Sequence, residues 1–235
     1  MPRQRCRRGA LQALPLLLGC ACTRPGAAMP PTPDGWDLDA YHNFIPAPNT
    51  AHNGSATLAV EPRLGISLNC SSALLSAAAE RFTAATFAWP AAATAAATPQ
   101  QQLLAQGGTL AHLAIEVGDA DESAPQLGMD ESYTLEIPAT PNATATLRAP
   151  AVWGALRGLE TLLQMIEHEP ADGSYLLRYA PWSIADAPQL AHRGLLIDTA
   201  RHWLPVSAIK RQIEAAAATK FNTIHWVRRA PACNL

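Results

Sequence analysis

Charge is scarce in this chain. Of 235 residues, 17 are Lys or Arg and 19 are Asp or Glu, 15% in total with a net charge of −2. Ordinary soluble domains carry about 25% charged residues. With 49% apolar residues, the composition excludes a chain kept unfolded by self-repulsion. Cysteine is also sparse: five residues, at positions 6, 20, 22, 70 and 233, with no Cys-x-x-Cys pair. That excludes a dense disulfide framework and a ribbon-type zinc site. No apolar run reaches the roughly 20 residues that a membrane-spanning helix needs. There is no Gly-x-Ser-x-Gly elbow and no phosphate-binding glycine loop. His168-Glu169 opens a zinc-protease pattern, but Asp172 stands where the second histidine belongs.

What the chain has in excess is alanine, 47 residues. Alanine runs blur the hydrophobic periodicity on which element assignment rests. The N-terminus is more distinctive. Arg3, Arg5, Arg7 and Arg8 precede a short apolar run from Gly9 to Cys22, and Gly26-Ala27-Ala28 follows. A basic start, a short apolar run and then small residues make up a secretory signal peptide, here residues 1–28. The plain alternative is an apolar N-terminus with no targeting role. Removal of residues 1–28 takes away five arginines and no acids, leaving 12 basic against 19 acidic residues. So acidic a remainder argues against nucleic acid and anionic membrane surfaces as partners. Cys70 and Cys233 alone would remain, and one bridge between them is possible. Asn53-Gly54-Ser55, Asn69-Cys70-Ser71 and Asn142-Ala143-Thr144 match the N-glycosylation pattern. Leu17-Leu18-Gly19-Cys20 also matches a bacterial lipoprotein box, but three sequons favour a eukaryotic secretory route.

Proline-rich residues 29–50 read as an irregular lead-in. Alternation predicts a strand at 56–60, and Leu74, Leu75, Ala78 and Phe82 mark a helix over 71–87. Residues 89–102 read as a low-complexity surface loop. Strands follow at 110–117, 132–137 and 144–148, the last two as a hairpin around Pro138–Asn142. The strongest helical pattern covers 151–168, with Trp153, Leu156, Leu159, Leu163 and Ile166 on one face. A strand at 174–179 precedes a proline-bounded joint, Pro181 to Pro188, and a domain boundary is placed near residue 188. Beyond it, Gly194–Ile197 reads as a strand buried on both faces. A helix capped by Ser207 runs to Thr219 with Ile209, Ile213 and Ala217 on one face, and 223–227 is a second strand. That is one βαβ unit with parallel strands.

Chemistry concentrates in this last segment. The strand ends in Asp198, with Arg201 and His202 within a turn. Parallel α/β folds bind ligands at the carboxyl ends of their strands. Arg201 there can grip a polar ligand with its planar fork of donors; alternatively it only pairs with Asp198 to fix the loop. His225-Trp226 holds the equivalent end of the second strand. The indole offers a flat apolar face for a ring, or it is plain core. Asp130-Glu131 reads as a solvated turn, and Glu160 as a surface or interface residue on the long helix.

The run His192-Arg193-Gly194-Leu195-Leu196-Ile197-Asp198-Thr199-Ala200-Arg201-His202, with Leu204-Pro205, Lys220-Phe221-Asn222 and His225-Trp226, resembles the opening of the catalytic barrel of family 20 glycoside hydrolases, the β-N-acetylhexosaminidases. Upstream, Asp130–Leu135, Val152–Thr161 and Phe44–Pro48 resemble the N-terminal part of the same family. The resemblance spans residues 41–227. It implies an α+β N-terminal domain (a sheet with helices on one face, residues 29–187), followed by the first βαβ unit of a truncated (β/α)8 TIM barrel (residues 188–235). It implies hydrolysis of terminal N-acetylhexosamine residues of glycans with no cofactor and no metal. In that chemistry the substrate's acetamido oxygen attacks the anomeric carbon, an Asp orients it, and a neighbouring Glu protonates the leaving group. By motif, Arg201 is the arginine that binds the terminal sugar. Asp198, His202, His225 and Trp226 support it. It further implies a homodimer for the full-length enzyme, and a lysosomal, vacuolar or extracellular location.

The family pattern continues His-Trp with a further His and an Asp. Here Val227-Arg228-Arg229 follows, and no residue maps onto the catalytic Asp–Glu pair. A complete barrel takes about 250 residues. The chain is therefore expected to be an inactive fragment. The alternative is a non-catalytic secreted module that binds a full-length hexosaminidase.

Overall fold

Alternating burial explains most of the strands. In the computed structural model, which describes residues 44–89, 108–123 and 125–228, Tyr133, Leu135 and Ile137 are buried while Thr134 and Glu136 are exposed. Ala143, Ala145, Leu147 and Ala149 repeat the same two-residue period, as a sheet with one covered face requires. The elements are β1 (Thr50–Leu68), α1 (Ala73–Thr86), β2 (Thr109–Asp119), β3 (Tyr133–Ile137), β4 (Ala143–Ala151), α2 (Val152–Met165), β5 (Ile166–Glu169), β6 (Ser174–Asp186), β7 (Gly194–Asp198), α3 (Val206–Ala218) and β8 (Thr223–Val227).

Strands β1 to β6 form a mixed sheet in the order β1-β2-β4-β3-β6-β5. β1 runs parallel to β2 from Ala59 to Leu68 and antiparallel to β6 from Thr50 to Ala59. The pairings therefore return on themselves through β1. The core lies between the buried sheet face and the two helices, around Leu58, Leu75, Leu110, Leu113, Leu135, Leu147 and Leu162. Close approach of α2 to the sheet depends on two glycines. A Cβ on Gly154 would lie 2.0 Å from Ser132 O, and one on Gly158 would lie 2.2 Å from Leu147 Cδ1.

Two accessory contacts complete this layer. Ser72 caps α1, its hydroxyl accepting from Leu75 N at 3.0 Å. Glu122 reaches the same helix end, accepting from Leu74 N at 3.0 Å and from the Ser72 hydroxyl. These bonds hold its carboxyl below the ordinary carboxylate range. Phe44 packs edge-on against Trp182, and the Gln164 amide brackets the backbone of Ile45.

β7 and β8 form a separate parallel pair, with Gly194 opposite Thr223 and Asp198 opposite Val227. α3 is the crossover between them. Several expectations need correction here. The strand Gly194–Ile197 is not buried on both faces: Leu196 is 59% exposed, although Ile197 is buried. With two strands among the described residues, one face of each stays open. α3 starts after Pro205 with no side-chain cap, so Ser207 lies inside the helix. Its buried residues are Ile209 and Ala216, whereas Ile213 is exposed.

Upstream, α2 stops at Met165. Ile166 belongs to β5, which pairs with β6 through Ile166–Leu177 and Glu169–Ser174. The buried side of α2 is Val152, Ala155, Leu159 and Leu162. Trp153, Leu156 and Leu163 are half-buried beside it. The joint expected at Pro181 is interior to β6, which continues to Asp186 between β1 and β3. The segment 1–28 assigned to a signal peptide, most of the loop 89–102, and Cys233 lie outside the described residues. Cys70 is half-buried against the core. Among the described residues no helix is long and apolar enough to cross a membrane.

Candidate functional site

Two strand ends converge at the carboxyl edge of the β7–β8 pair. Asp198, the last residue of β7, accepts backbone hydrogen bonds from Ala200 N (2.9 Å) and Arg201 N (3.3 Å) through Oδ1. Its other oxygen meets Arg201 Nε at 3.0 Å. A carboxylate that closes the turn and also holds the guanidinium gives the fork a fixed direction. The Arg201 side chain is 83% exposed and that of Asp198 19%. The remaining donors of the fork are therefore open to a ligand. Both readings of Arg201 are compatible with this geometry, because the ion pair with Asp198 uses one edge of the guanidinium only.

Thr199 ties the second strand to this turn. Its backbone N donates to Val227 O at 2.9 Å, and the Trp226 indole N–H donates to its hydroxyl at 2.9 Å. The indole is thus held by its polar edge while 49% of the residue stays exposed. It is not buried as core within the described residues. Successive residues of a strand face opposite sides, so His225 lies on the other face from Trp226. His225 and His202 are both exposed. No hydrogen bond joins either to Arg201 among the described residues. Hydrogen bonds thus tie Arg201 to Asp198 and Trp226 to Thr199 at one end of the strand pair, and the register puts His225 on the same face as Asp198.

The amino ends of the same strands are held by a buried ionic junction. Glu131 is 4% exposed, not part of a solvated turn. Its carboxylate meets Arg157 at 2.7 Å and Arg193 Nη2 at 2.6 Å. Arg193 directly precedes β7. Asn222, directly before β8, accepts from Arg193 N through Oδ1 at 3.0 Å and donates to Ala191 O at 2.8 Å. Arg193 Nε donates to Lys220 O at 2.8 Å. A second contact lies alongside. Lys220 is 5% exposed, and its ammonium donates to Asp186 Oδ2 at 2.9 Å and to the Tyr133 hydroxyl at 3.0 Å.

Burial sets the electrostatics of this junction. It pushes the Tyr133 phenol far above its ordinary value, aided by the Asp186 charge. It pushes the Lys220 ammonium down, against the pull of Asp186. Glu160 is half-buried and is raised by burial, with Arg157, Arg81 and Lys220 acting in the opposite sense. It lines a cavity between α1, α2 and α3 with Arg81, Leu156 and Glu214. No local pattern marks Glu131 as buried. Its arginine partners lie 26 and 62 residues away in sequence.

Adjacent Asp–Glu pairs occur at 121–122 and 130–131, and both are engaged structurally. Glu122 caps α1, Asp121 accepts from Ser123 N at 2.9 Å, Asp130 accepts from Ser132 N at 2.8 Å, and Glu131 holds the two arginines. Neither pair lies at the carboxyl end of β7 or β8. The three sequon asparagines differ in setting. Asn53 is half-buried in β1 and donates to Gly54 O. Asn69 exchanges two hydrogen bonds with the Val117 backbone. Asn142 is exposed in the β3–β4 turn with φ 54. Among the described residues no three of His, Cys, Asp and Glu cluster as metal ligands.

The described residues thus combine a mixed sheet with helices and a parallel βαβ unit that carries an arginine at its carboxyl end. Two family models match the chain. One, described as beta-acetyl hexosaminidase like, covers residues 44–165, and the family 20 glycosyl hydrolase catalytic domain covers residues 190–227. The chain belongs to family 20 of the glycoside hydrolases. It is 34% identical over 185 residues to beta-hexosaminidase subunit B2 of Dictyostelium discoideum, covering 78% of this chain and 31% of that protein. It is 40% identical over 131 residues to beta-hexosaminidase subunit beta of Homo sapiens, covering 56% and 21% respectively. The chitobiase of Flavobacterium johnsoniae superposes with a TM-score of 0.57 and 26% identity, over 81% of this chain and 28% of that one. The chain thus spans less than a third of the length of these relatives.

Proposed function

We propose that residues 188–235 are the opening βαβ unit of a family 20 (β/α)8 barrel, seated on an N-terminal α+β domain of residues 29–187. Its carboxyl end contributes the grip on a terminal N-acetylhexosamine. The observation that carries this reading is Arg201, fixed by Asp198 at the end of β7 yet with its outer donors exposed. A planar fork suits adjacent hydroxyls of a sugar, and the half-open Trp226 indole at the same end of the strand pair suits the apolar face of the ring. Family chemistry, in which the substrate's own acetamido group is the nucleophile, needs an Asp–Glu pair at a barrel strand end. The pairs at 121–122 and 130–131 are both bound elsewhere. On this reading the chain alone holds sugar weakly and does not cleave it.

The secretory reading goes with this one: a signal peptide at 1–28, glycans at the sequons Asn53, Asn69 and Asn142, the last exposed in the β3–β4 turn, and a lysosomal, vacuolar or extracellular destination. A second reading is favoured by one observation. Leu196, Ile224 and Trp226 leave apolar surface open on the β7–β8 pair. Such surface favours association, here with a full-length hexosaminidase.

Titration of the isotopically labelled protein with N-acetylglucosamine tests the first reading. The Arg201 Nε and Trp226 indole resonances should shift together, with millimolar affinity, and N-acetylglucosamine should act more strongly than glucose. Shifts confined to the six-stranded sheet, or none at all, overturn it. Co-purification with a full-length hexosaminidase through residues 188–228 supports the second reading, and its absence removes it.

A further inference from the structure

Lys220 violates two local rules at once. It directly follows the last turn of α3, donating from its backbone N to Ala217 O at 2.9 Å, and it adopts a left-handed φ of 61. Glycine is the residue favoured there, because a Cβ is strained in that region. Its side chain is also buried, which penalises an ammonium. Neither helix propensity nor solvation accounts for a lysine at this position. Its tertiary contacts do: Asp186 at the end of β6, and the Tyr133 hydroxyl at the start of β3. The ammonium also lies 5.1 Å from the centre of the Tyr133 ring. Tyr133 in turn donates to Asp186 at 3.0 Å and shares a 2.6 Å hydrogen bond with Thr161 of α2. One ammonium therefore touches a node joining β3, β6 and α2.

The position of Lys220 in the chain gives that contact a consequence. Two residues on, Asn222 pairs with Arg193, and β8 begins at Thr223. β8 ends at Trp226 and Val227, whose bonds to Thr199 hold the turn carrying Arg201. We propose that Lys220 is a positioning residue. Anchored on Asp186 and Tyr133, it fixes where β8 starts along the six-stranded sheet, and so sets the Trp226–Thr199 contact at the other end of the strand. This rests on the reading of β7–α3–β8 as the sugar-facing unit, but its test needs no sugar.

The experiment compares wild type with K220M, K220R, K220G and D186N by amide exchange and by the indole N–H resonances. K220M should speed exchange of the Thr199 amide about tenfold or more and move the Trp226 indole resonance. The Trp182 indole, bonded to Arg178 O within the larger sheet, should stay in place. D186N should move the same signals in the same direction, and K220R should restore most of the protection. K220G relieves the backbone strain but removes the anchor, so it should behave like K220M. Wild-type or greater protection of Thr199 in K220G, or an unmoved Trp226 indole in K220M and D186N, overturns the proposal. Failure here leaves the sugar titration free to succeed, so the two readings fail separately.

Discussion

Replacement of Glu131 by alanine should cost more stability than any other single carboxylate change in this protein. The carboxylate is 4% exposed, and the two arginine side chains that it holds are 15% and 16% exposed. Removal of one member of a buried ionic cluster leaves the others uncompensated, at roughly 3–5 kcal/mol. A solvated turn glutamate would cost less than about 0.5 kcal/mol. Domains are stable by only about 5–15 kcal/mol, so E131A sits near the edge of folding. For a protein of this size each kcal/mol moves Tm by about 2–4 °C, which puts the expected drop on the order of 10 °C. E131Q keeps the shape and removes the charge, and it should retain most of the loss. Pairing E131Q with R193M should recover part of it, because one stranded cation is then gone; a coupling of about 0.5–3 kcal/mol is expected for residues in contact. Urea unfolding followed by far-UV circular dichroism measures wild type, E131A, E131Q, R193M and the double variant, five proteins in all. An E131A variant within about 1 kcal/mol of wild type would refute the buried junction.

Three further outcomes are expected. G154A should destabilise the fold by about 1–3 kcal/mol, the range of overpacking, because its Cβ would meet Ser132 O at 2.0 Å and a backbone oxygen cannot swing away; thermal melts matching wild type would contradict the tight seating of α2. R201A should change stability by less than about 1 kcal/mol, as an exposed pair does, while abolishing the N-acetylglucosamine shifts at Trp226; a large loss of stability would make Arg201 structural. Glu160 is held above its ordinary value of 4.5 by burial, so the folded state keeps its proton to higher pH than the unfolded state. Its burial is therefore tolerated fully below 4.5 and becomes costly as pH rises through the folded-state value. E160Q should gain stability relative to wild type between pH 4.5 and pH 7.5, and a constant gap across that range would remove the assignment.

Much of the fold was legible from side-chain period. β3 and β4 follow their alternation, and of the residues that its pattern marked α1 buries Leu75, Ala78 and Phe82 and leaves Leu74 half-buried. What the sequence hid has particular causes. α2 is covered by the sheet and by α1, so apolar residues occur around much of its circumference, and the face through Trp153 and Ile166 competed with the one through Val152 and Ala155. Its end at Met165 is set by β5 pairing with β6, a contact that no helical pattern encodes. Pro181 looked like a break, yet β6 passes through it where the β1–β6 register shifts between Asn53 and Ala56. A proline is tolerated in a strand where the ladder is already irregular.

The candidate site divides the same way. Asp198, Arg201 and Trp226 share one strand end because a parallel βαβ unit places both carboxyl termini together, and that was readable. Glu131, Asp186 and Lys220 were not, because each depends on a partner far along the chain. Two charged residues mark the point most clearly. Glu131 lies in a turn-like stretch and Lys220 at a helix end, both ordinary places for solvated charge, and tertiary packing buries both.

The most direct test of the account is release of the aryl alcohol from an aryl N-acetyl-β-glucosaminide by the purified chain, set against a heat-treated control. The account predicts no release above the control, because every adjacent Asp–Glu pair in the chain is engaged in holding the fold. Saturable turnover, retained through purification and lost on heating, would contradict it and place a working acid and its partner within these 235 residues.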